Sequence, residues 1–144
     1  MKTFIIILLI LVSGLIGCSK ESLNQNLIST EWYLYEVQYT DTQIEEFVPT
    51  DLKGMNIVFS DSNRLHAISS CNVFDGDFDL VGSDSIRVEN LITTLIYCTD
   101  SNKRLWESKF YDNLKNSSKY NLKNGTLSIQ TSIKTVMVFK ITNN

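Results

Sequence analysis

The chain has 144 residues, of which 43% are hydrophobic and 20% are charged, and its formal net charge at pH 7 is -3. That length suits one domain with a buried core and is too short for two. The mild negative charge, without a cluster of Lys and Arg, argues against nucleic-acid binding, because phosphates are bound by concentrated positive charge.

The N-terminus has the pattern of an export signal. A short basic start at Met1–Thr3 precedes the apolar run Phe4–Ile16, which ends at Gly17 and Cys18. The run is shorter than the roughly 20 residues that a transmembrane helix needs, so we expect residues 1–17 to be a signal peptide. The cysteine at its boundary resembles that of a bacterial lipoprotein signal, whose cleavage leaves Cys18 as the lipid-modified N-terminus. The alternative is an ordinary signal peptide that contains a cysteine.

Lipidation would place the mature chain in the bacterial cell envelope, with the outer membrane or cell surface expected rather than the inner membrane. Residues 18–26 are polar and are predicted to be a lipidated tether, and residues 27–142 to be one monomeric domain. The membrane is therefore an expected partner, through lipid rather than through a polybasic face. No nucleic acid and no cofactor is expected.

Beyond the tether, apolar and polar residues alternate with period two, which is typical of β-strands. The segment Thr40–Lys53 holds the single proline and is predicted to be a loop. Asp61–Asn63 and Asn124–Gly125 are predicted to be hairpin turns. In all we predict about seven strands, at residues 30–38, 55–60, 64–69, 85–89, 119–122, 126–130 and 135–141.

Residues 100–116 break this alternation. Trp106, Phe110 and Leu114 recur at every fourth position, with charged side chains between them, which is typical of an amphipathic helix. Asp100 or Ser101 is placed to cap its first amides. The sequence therefore predicts an α+β fold, a single small domain whose curled antiparallel β-sheet packs around one α-helix in the C-terminal half.

Two cysteines, Cys71 and Cys98, remain when Cys18 is set aside. Because an exported protein meets an oxidising compartment, we expect them to form a disulfide. On the chain-entropy model, closing a loop of this length stabilises the fold by roughly 3 kcal/mol. The alternative is that both thiols stay reduced and buried. The distant His66 and two thiolates do not supply four zinc ligands at a recognised spacing.

The residues around these cysteines carry a family resemblance. Residues 70–76 (SCNVFDG) resemble the Gly-Cys-Asn-x-Phe-x-Gly motif of the META domain (HslJ-like) family, and residues 93–98 (TTLIYC) resemble its Thr-Thr-Arg-Met-Ala-Cys motif. Trp32, the helix with Glu107 and the closing KYNLKNGTLSI follow in the family's order, so the resemblance spans residues 27–141. It implies a small antiparallel sheet with one helix, found in lipoproteins and secreted proteins linked to stress, drug resistance or motility. It implies no known reaction or substrate.

The motif residues are expected to be structural. Asn72 can bond neighbouring backbone, Phe74 can anchor the core, and Gly76 permits a bulge or a close approach of two chains. With Thr93 and Thr94 they form the predicted motif site, and none is a strong nucleophile once the neighbouring cysteine is disulfide-bonded.

Two positions depart from the family pattern. Ser70 stands where the family has glycine, and this weakens the expectation of a tight backbone conformation there. Leu95 stands where the family usually has arginine, so any ion pair or anion contact of that arginine is absent here.

An acidic run invites a metal ion. Strand alternation would put Asp75, Asp77 and Asp79 on one face, where their oxygens would suit calcium. The EF-hand pattern fails, however, since the twelfth position counted from Asp75 is Ile86 rather than Glu. We therefore predict no metal site and interpret the run as a solvated outer face. His66 has no Ser or Cys partner at a motif spacing, so no catalytic residue and no enzyme is predicted.

Two functional hypotheses follow. The first is a non-enzymatic accessory or stress-related envelope protein that binds another envelope component through an exposed apolar or aromatic patch facing away from the tether. The second is a small-ligand binder that uses the concave face of the sheet, where Tyr33, Tyr35 and Tyr39 would line a pocket. On the first strand we expect Val37 to share that face.

Overall fold

The computed structural model describes residues 26–142. The predicted signal peptide, the predicted lipidation site Cys18 and all of the predicted tether except Asn26 lie outside the described residues. The described chain forms nine strands, a short 3-10 helix at Thr50–Leu52 and one α-helix. In chain order these elements are β1 (Trp32–Tyr39), β2 (Ile44–Phe47), β3 (Asn56–Phe59), β4 (Arg64–Ile68), β5 (Val73–Val81), β6 (Ser85–Thr93), α1 (Ser101–Lys115), β7 (Ser117–Lys123), β8 (Thr126–Thr131) and β9 (Thr135–Lys140).

Eight of these strands close into an antiparallel barrel. Neighbours follow the order β1, β3, β4, β5, β6, β7, β8, β9, and β9 pairs with β1 again. On the other edge of β1, Trp32 and Tyr33 pair with β3 while residues 36–39 pair with β2. The predicted single domain with a mostly antiparallel sheet and one helix is confirmed. The structure is more specific than the predicted curled sheet, because the pairing of the first strand with the last closes the sheet into a barrel.

Two strands were not among the seven predicted. β2 lies inside the predicted loop at residues 40–53, where Glu45 and Glu46 give little strand signal, and it is held by β1 alone among the strands of the described chain. β5 overlaps the first cysteine motif. It is a regular strand, but its aspartates at every second position make the sequence look polar. The two hairpin turns were predicted correctly, and Asn63, Asn124 and Gly125 all have positive φ.

A β-bulge in β1 decides which residues face the core. The pairing of β1 with β9 shifts register between Leu34 and Glu36, which leaves Tyr35 as an extra residue. Val37 is therefore buried in the core with Trp32, and its predicted place on the face of Tyr35 was wrong. A strict two-residue period cannot anticipate such a shift.

Helix α1 begins and ends close to its predicted bounds. The Asp100 carboxylate caps it by accepting hydrogen bonds from the backbone N–H groups of Asn102 at 2.8 Å and Lys103 at 3.0 Å. The helix and the barrel share one apolar core, to which the helix contributes Trp106, Phe110 and Leu114. Within residues 26–142, no helix is both long and apolar enough to cross a membrane.

Candidate functional site

The two cysteine motifs meet at one end of the barrel. Phe74 on β5 pairs with Thr93 on β6, and the backbone N–H of Thr94 donates to the carbonyl of Val73 at 3.1 Å. The loop before β5 and the loop after β6 therefore run side by side. A disulfide joins them between Cys71 and Cys98, whose Cα atoms are 5.9 Å apart.

We call the contact between these two loops and helix α1 the junction. Asn72 lies at its centre and is buried. Its side-chain oxygen accepts hydrogen bonds from the Thr94 hydroxyl and from the Ile96 backbone N–H, both at 2.8 Å. Its side-chain nitrogen donates to the Ile96 carbonyl at 3.2 Å and to a carboxylate oxygen of Glu107 at 2.8 Å. One side-chain amide thus bonds both backbone groups of Ile96 and links two loops to helix α1. An amide suits this position because it offers both an acceptor and donors.

Glu107 supplies the helix side of the junction. Its Oε2 accepts from the Ser69 hydroxyl at 2.6 Å and from the Asn72 backbone N–H at 2.8 Å. Beside it, the Ser70 hydroxyl donates to the carbonyl of Lys103 at 2.7 Å. Within the described chain, no buried side-chain nitrogen or oxygen lacks a hydrogen-bond partner. A carboxylate held by three donors is suited to fixing the loops in place.

The sequence did not mark Ser69 or Glu107 as site residues. Glu107 was noted only as a member of the helix, and its partner Asn72 is 35 residues away. The available signal was its position between Trp106 and Phe110, at the margin of the buried stripe, where a carboxylate is expected to have a partner.

The other motif residues have distinct places. The Phe74 ring is fully buried, with its centroid 5.9 Å from that of Phe110 and 5.4 Å from that of Tyr111. Thr94 joins the junction through Asn72, as described above. Thr93 does not, since it is exposed and its hydroxyl donates to the adjacent Thr94 carbonyl at 2.9 Å.

Gly76 faces a bulge in β6. Asp75 pairs with Ile92 and Asp77 with Glu89, so two residues of β6 oppose the single glycine. A Cβ at Gly76 would lie 3.0 Å from the Glu89 carbonyl oxygen, so a larger residue would force the strands apart.

The three aspartates each bond a neighbouring side chain on the outer face. Asp75 Oδ1 lies 2.9 Å from His66 Nδ1, and Asp77 bonds Arg64 and, at 2.7 Å, the side-chain amide of Asn90. The hydrogen bond from Asn90, followed by that from Arg64, lowers the pKa of Asp77. Asp79 accepts from the side chain of Asn63 at 3.3 Å. Within the described chain, no three His, Cys, Asp or Glu side chains are grouped so as to hold a metal ion.

Within residues 26–142 the inner face of the barrel is packed, and the predicted pocket on the concave face does not lie there. The inner face is filled by large buried side chains, among them Phe59, Phe78 and Phe139. Tyr33 and Tyr35 instead point outward and line a cleft of about 280 Å³ together with Phe47 and Lys53. The hydroxyl of Tyr39, the third predicted tyrosine, donates to Glu46 at 3.1 Å and lies outside this cleft.

The end of β6 and the loop after it form a segment that has no charged residue and exposes apolar side chains. We name residues 90–99 (NLITTLIYCT) the apolar segment. Leu95 is 93% exposed and Tyr97 is 83% exposed, and Ile92 and Ile96 are also exposed. Arg104 holds the far end of the segment by donating to the carbonyls of Cys98 at 2.8 Å and Thr99 at 3.1 Å.

The fold and the junction define a class of small disulfide-containing β-barrel with one helix. The family model for the META domain matches residues 25–143, and the chain belongs to the META domain family. Among proteins of curated function, none matches this chain.

Two solved structures have the same fold. A protein from Burkholderia xenovorans, solved by NMR, aligns with a TM-score of 0.66 and 18% identity over 81% of this chain and 83% of its own. A DUF4847 family protein from Bacteroides vulgatus, solved by crystallography, aligns with a TM-score of 0.64 and 16% identity over 85% of this chain and 99% of its own. At these identities the similarity concerns the fold alone.

Proposed function

We propose that this chain is an exported, lipid-anchored and non-enzymatic envelope protein that binds another envelope component through the apolar segment. The observation that carries the proposal is the exposure of Leu95 and Tyr97 in a segment that the Asn72 junction holds in place. Exposed apolar side chains that cluster on a surface usually mark a site of interaction. Holding them in one conformation lowers the entropic cost of binding.

The lipid anchor is proposed from the N-terminal sequence. Residues 1–17 have the pattern of a signal peptide, and Cys18 follows it directly. Cleavage before Cys18 would leave a short polar tether to the barrel. The stress-related role that the family resemblance implies is part of the same proposal.

Two variants separate the anchor from the apolar segment. Cys18→Ser, with residues 1–17 replaced by a signal peptide that is cleaved without lipidation, should be partly released from the envelope fraction of producing cells but still retained above the level of a periplasmic marker. Adding Leu95→Ser and Ile96→Ser to Cys18→Ser should abolish this residual retention, because the exposed apolar area is removed. As a matched control, Ile133→Ser, at an exposed apolar position in the turn between β8 and β9, should leave it unchanged. Equal release of Cys18→Ser with and without the segment changes would overturn the proposed binding role.

A second candidate function is small-ligand binding in the outer cleft. The aromatic rings of Tyr33, Tyr35 and Phe47 and the ammonium group of Lys53 line it, and they suit an anionic ligand with an apolar group. The aromatic anion 2-naphthoate should shift the backbone amide resonances of Tyr35 and Lys53, and Lys53→Met should weaken that binding. Shifts confined to other parts of the barrel would remove this candidate.

A further inference from the structure

We propose that the component bound by the apolar segment is the lipid bilayer itself, with Leu95, Ile96 and Tyr97 inserted at the membrane interface. This inference rests on the proposed function and names the lipid bilayer as the component that is bound. A bilayer interface accepts apolar side chains, and tyrosine in particular is enriched there. From Asn90 to Thr99 the chain carries no charged side chain that would oppose insertion.

The shape of the segment favours lipid over a protein groove. Leu95 is 93% exposed and Tyr97 is 83% exposed, so these side chains protrude from the surface rather than lying flat in it. Protruding apolar side chains suit a soft medium that closes around them. The basic side chains Lys103 and Arg104 follow on the first turn of α1, where they would meet lipid phosphates.

Part of the backbone of the segment has its hydrogen-bond partners within the protein. A peptide group that leaves water must find its hydrogen-bond partners within the protein. Asn72 satisfies both the N–H and the carbonyl of Ile96, and Arg104 satisfies the carbonyls of Cys98 and Thr99. The Thr94 carbonyl accepts from the Thr93 hydroxyl. These groups therefore have partners other than water. Within the described residues the peptide groups of Leu95 and Tyr97 make no hydrogen bond, so they would stay at the hydrated headgroup level.

The predicted tether is long enough for the segment to reach the anchoring membrane. The described chain begins beside Phe59, where Ile28 forms a bridge and the Ser29 N–H donates at 2.7 Å. That is the end of β3 opposite to the junction. The residues between Cys18 and Leu27 can extend over roughly 28 Å, whereas β3 and its neighbours separate the two ends by roughly 15 Å. The lipid and the apolar segment can therefore contact one bilayer.

Depth-dependent fluorescence quenching tests the contact in the protein purified with its N-terminus processed by the producing cells. Tyr97→Trp adds an indole to the segment, while the two native tryptophans are buried and serve as an internal reference. The chain is reconstituted in vesicles of phosphatidylcholine with a minor fraction of phosphatidylglycerol, with or without bromine on the acyl chains. The matched control is Val81→Trp, which is 52% exposed in the wild type and lies by the turn between β5 and β6.

Insertion predicts that brominated lipid quenches the Tyr97→Trp indole at least about twofold more than the Val81→Trp indole, since interfacial groups reach the acyl boundary. Adding Leu95→Ser and Ile96→Ser should remove the difference. Equal quenching of the two indoles, or stronger quenching of Val81→Trp, would overturn the inference. If the segment still governs envelope retention of Cys18→Ser in that case, the proposed function stands and the occupant is a protein. If it does not, both proposals fail.

Discussion

Glu107 on helix α1 accepts two hydrogen bonds from Asn72, one from the backbone N–H and one from the side-chain amide, both at 2.8 Å. The side-chain oxygen of Asn72 accepts hydrogen bonds from the Thr94 hydroxyl and the Ile96 backbone N–H in the loop after β6. The helix, the loop before β5 and the apolar segment are therefore tied together through one amide. A substitution at Glu107 should therefore loosen the apolar segment, although Glu107 does not bond the segment directly.

Glu107→Gln should destabilise the fold by about 1–3 kcal/mol. The amide keeps one acceptor oxygen, but its NH2 group would face donors of Ser69 and Asn72, so at least one buried donor loses its partner. Chemical unfolding in urea measures the change, and amide exchange of Ile96 should become faster. Glu89→Gln, at an exposed position on β6, is the control and should stay within about 0.5 kcal/mol of the wild type. An unchanged midpoint for Glu107→Gln would mean that the junction does not stabilise the fold.

The features that the sequence predicted correctly are those that depend on residues close together along the chain. The four-residue spacing of Trp106, Phe110 and Leu114 predicted the helix, and Asn124–Gly125 predicted its hairpin, because these signals are local. Closure of the barrel depends on pairing between β1 and β9, which are at opposite ends of the domain, and no local pattern encodes it. The same holds for the contact of Glu107 with Asn72, where each residue by itself looks like a polar side chain on a surface.

The cysteine pair gives a second prediction. If Cys71 and Cys98 are disulfide-bonded in the isolated protein, its intact mass falls short of the reduced chain by two hydrogens. Reduction should then lower the stability by roughly 3 kcal/mol, since the closed loop restricts the unfolded chain. Thermal unfolding with and without reductant measures this. Cys71→Ser with Cys98→Ser is the control and should melt at one temperature in both conditions. Alkylation of both thiols in the native wild type would instead identify a reduced pair.

Gly76 and Gly54 form a matched pair for a third prediction. Gly76→Ala would bring its Cβ to 3.0 Å from the Glu89 carbonyl oxygen and 3.1 Å from the Leu91 side chain, and should cost about 1–3 kcal/mol of stability. At Gly54 a Cβ meets nothing within 4 Å, so Gly54→Ala should be neutral or slightly stabilising. Thermal unfolding of the two variants compares them directly. Equal melting temperatures would show that β5 and β6 yield easily at the bulge.

The acid dependence of stability gives the last prediction, through an ion pair between β2 and α1. Lys109 bonds the carboxylate of Glu46, which also accepts from Tyr39 at 3.1 Å. The hydrogen bond from Lys109 is the main cause that lowers the pKa of Glu46, and partial burial opposes it. A carboxyl group whose pKa is lower in the folded state stabilises the fold while it is ionised. This stabilisation is complete above the unfolded-state pKa of about 4.3 and is lost as the pH falls through the folded-state value.

Glu46→Gln should therefore be less stable than the wild type at pH 7, and the difference should shrink as the pH falls below about 4. Since the pair is partly exposed and solvent screens it, we expect a difference of less than about 1 kcal/mol at neutral pH. Urea unfolding of both chains across this pH range measures it. Glu45→Gln changes the exposed neighbour on the same strand and should follow the wild type throughout. A constant difference between Glu46→Gln and the wild type at all pH values would mean that the carboxylate acts through packing, because packing does not titrate.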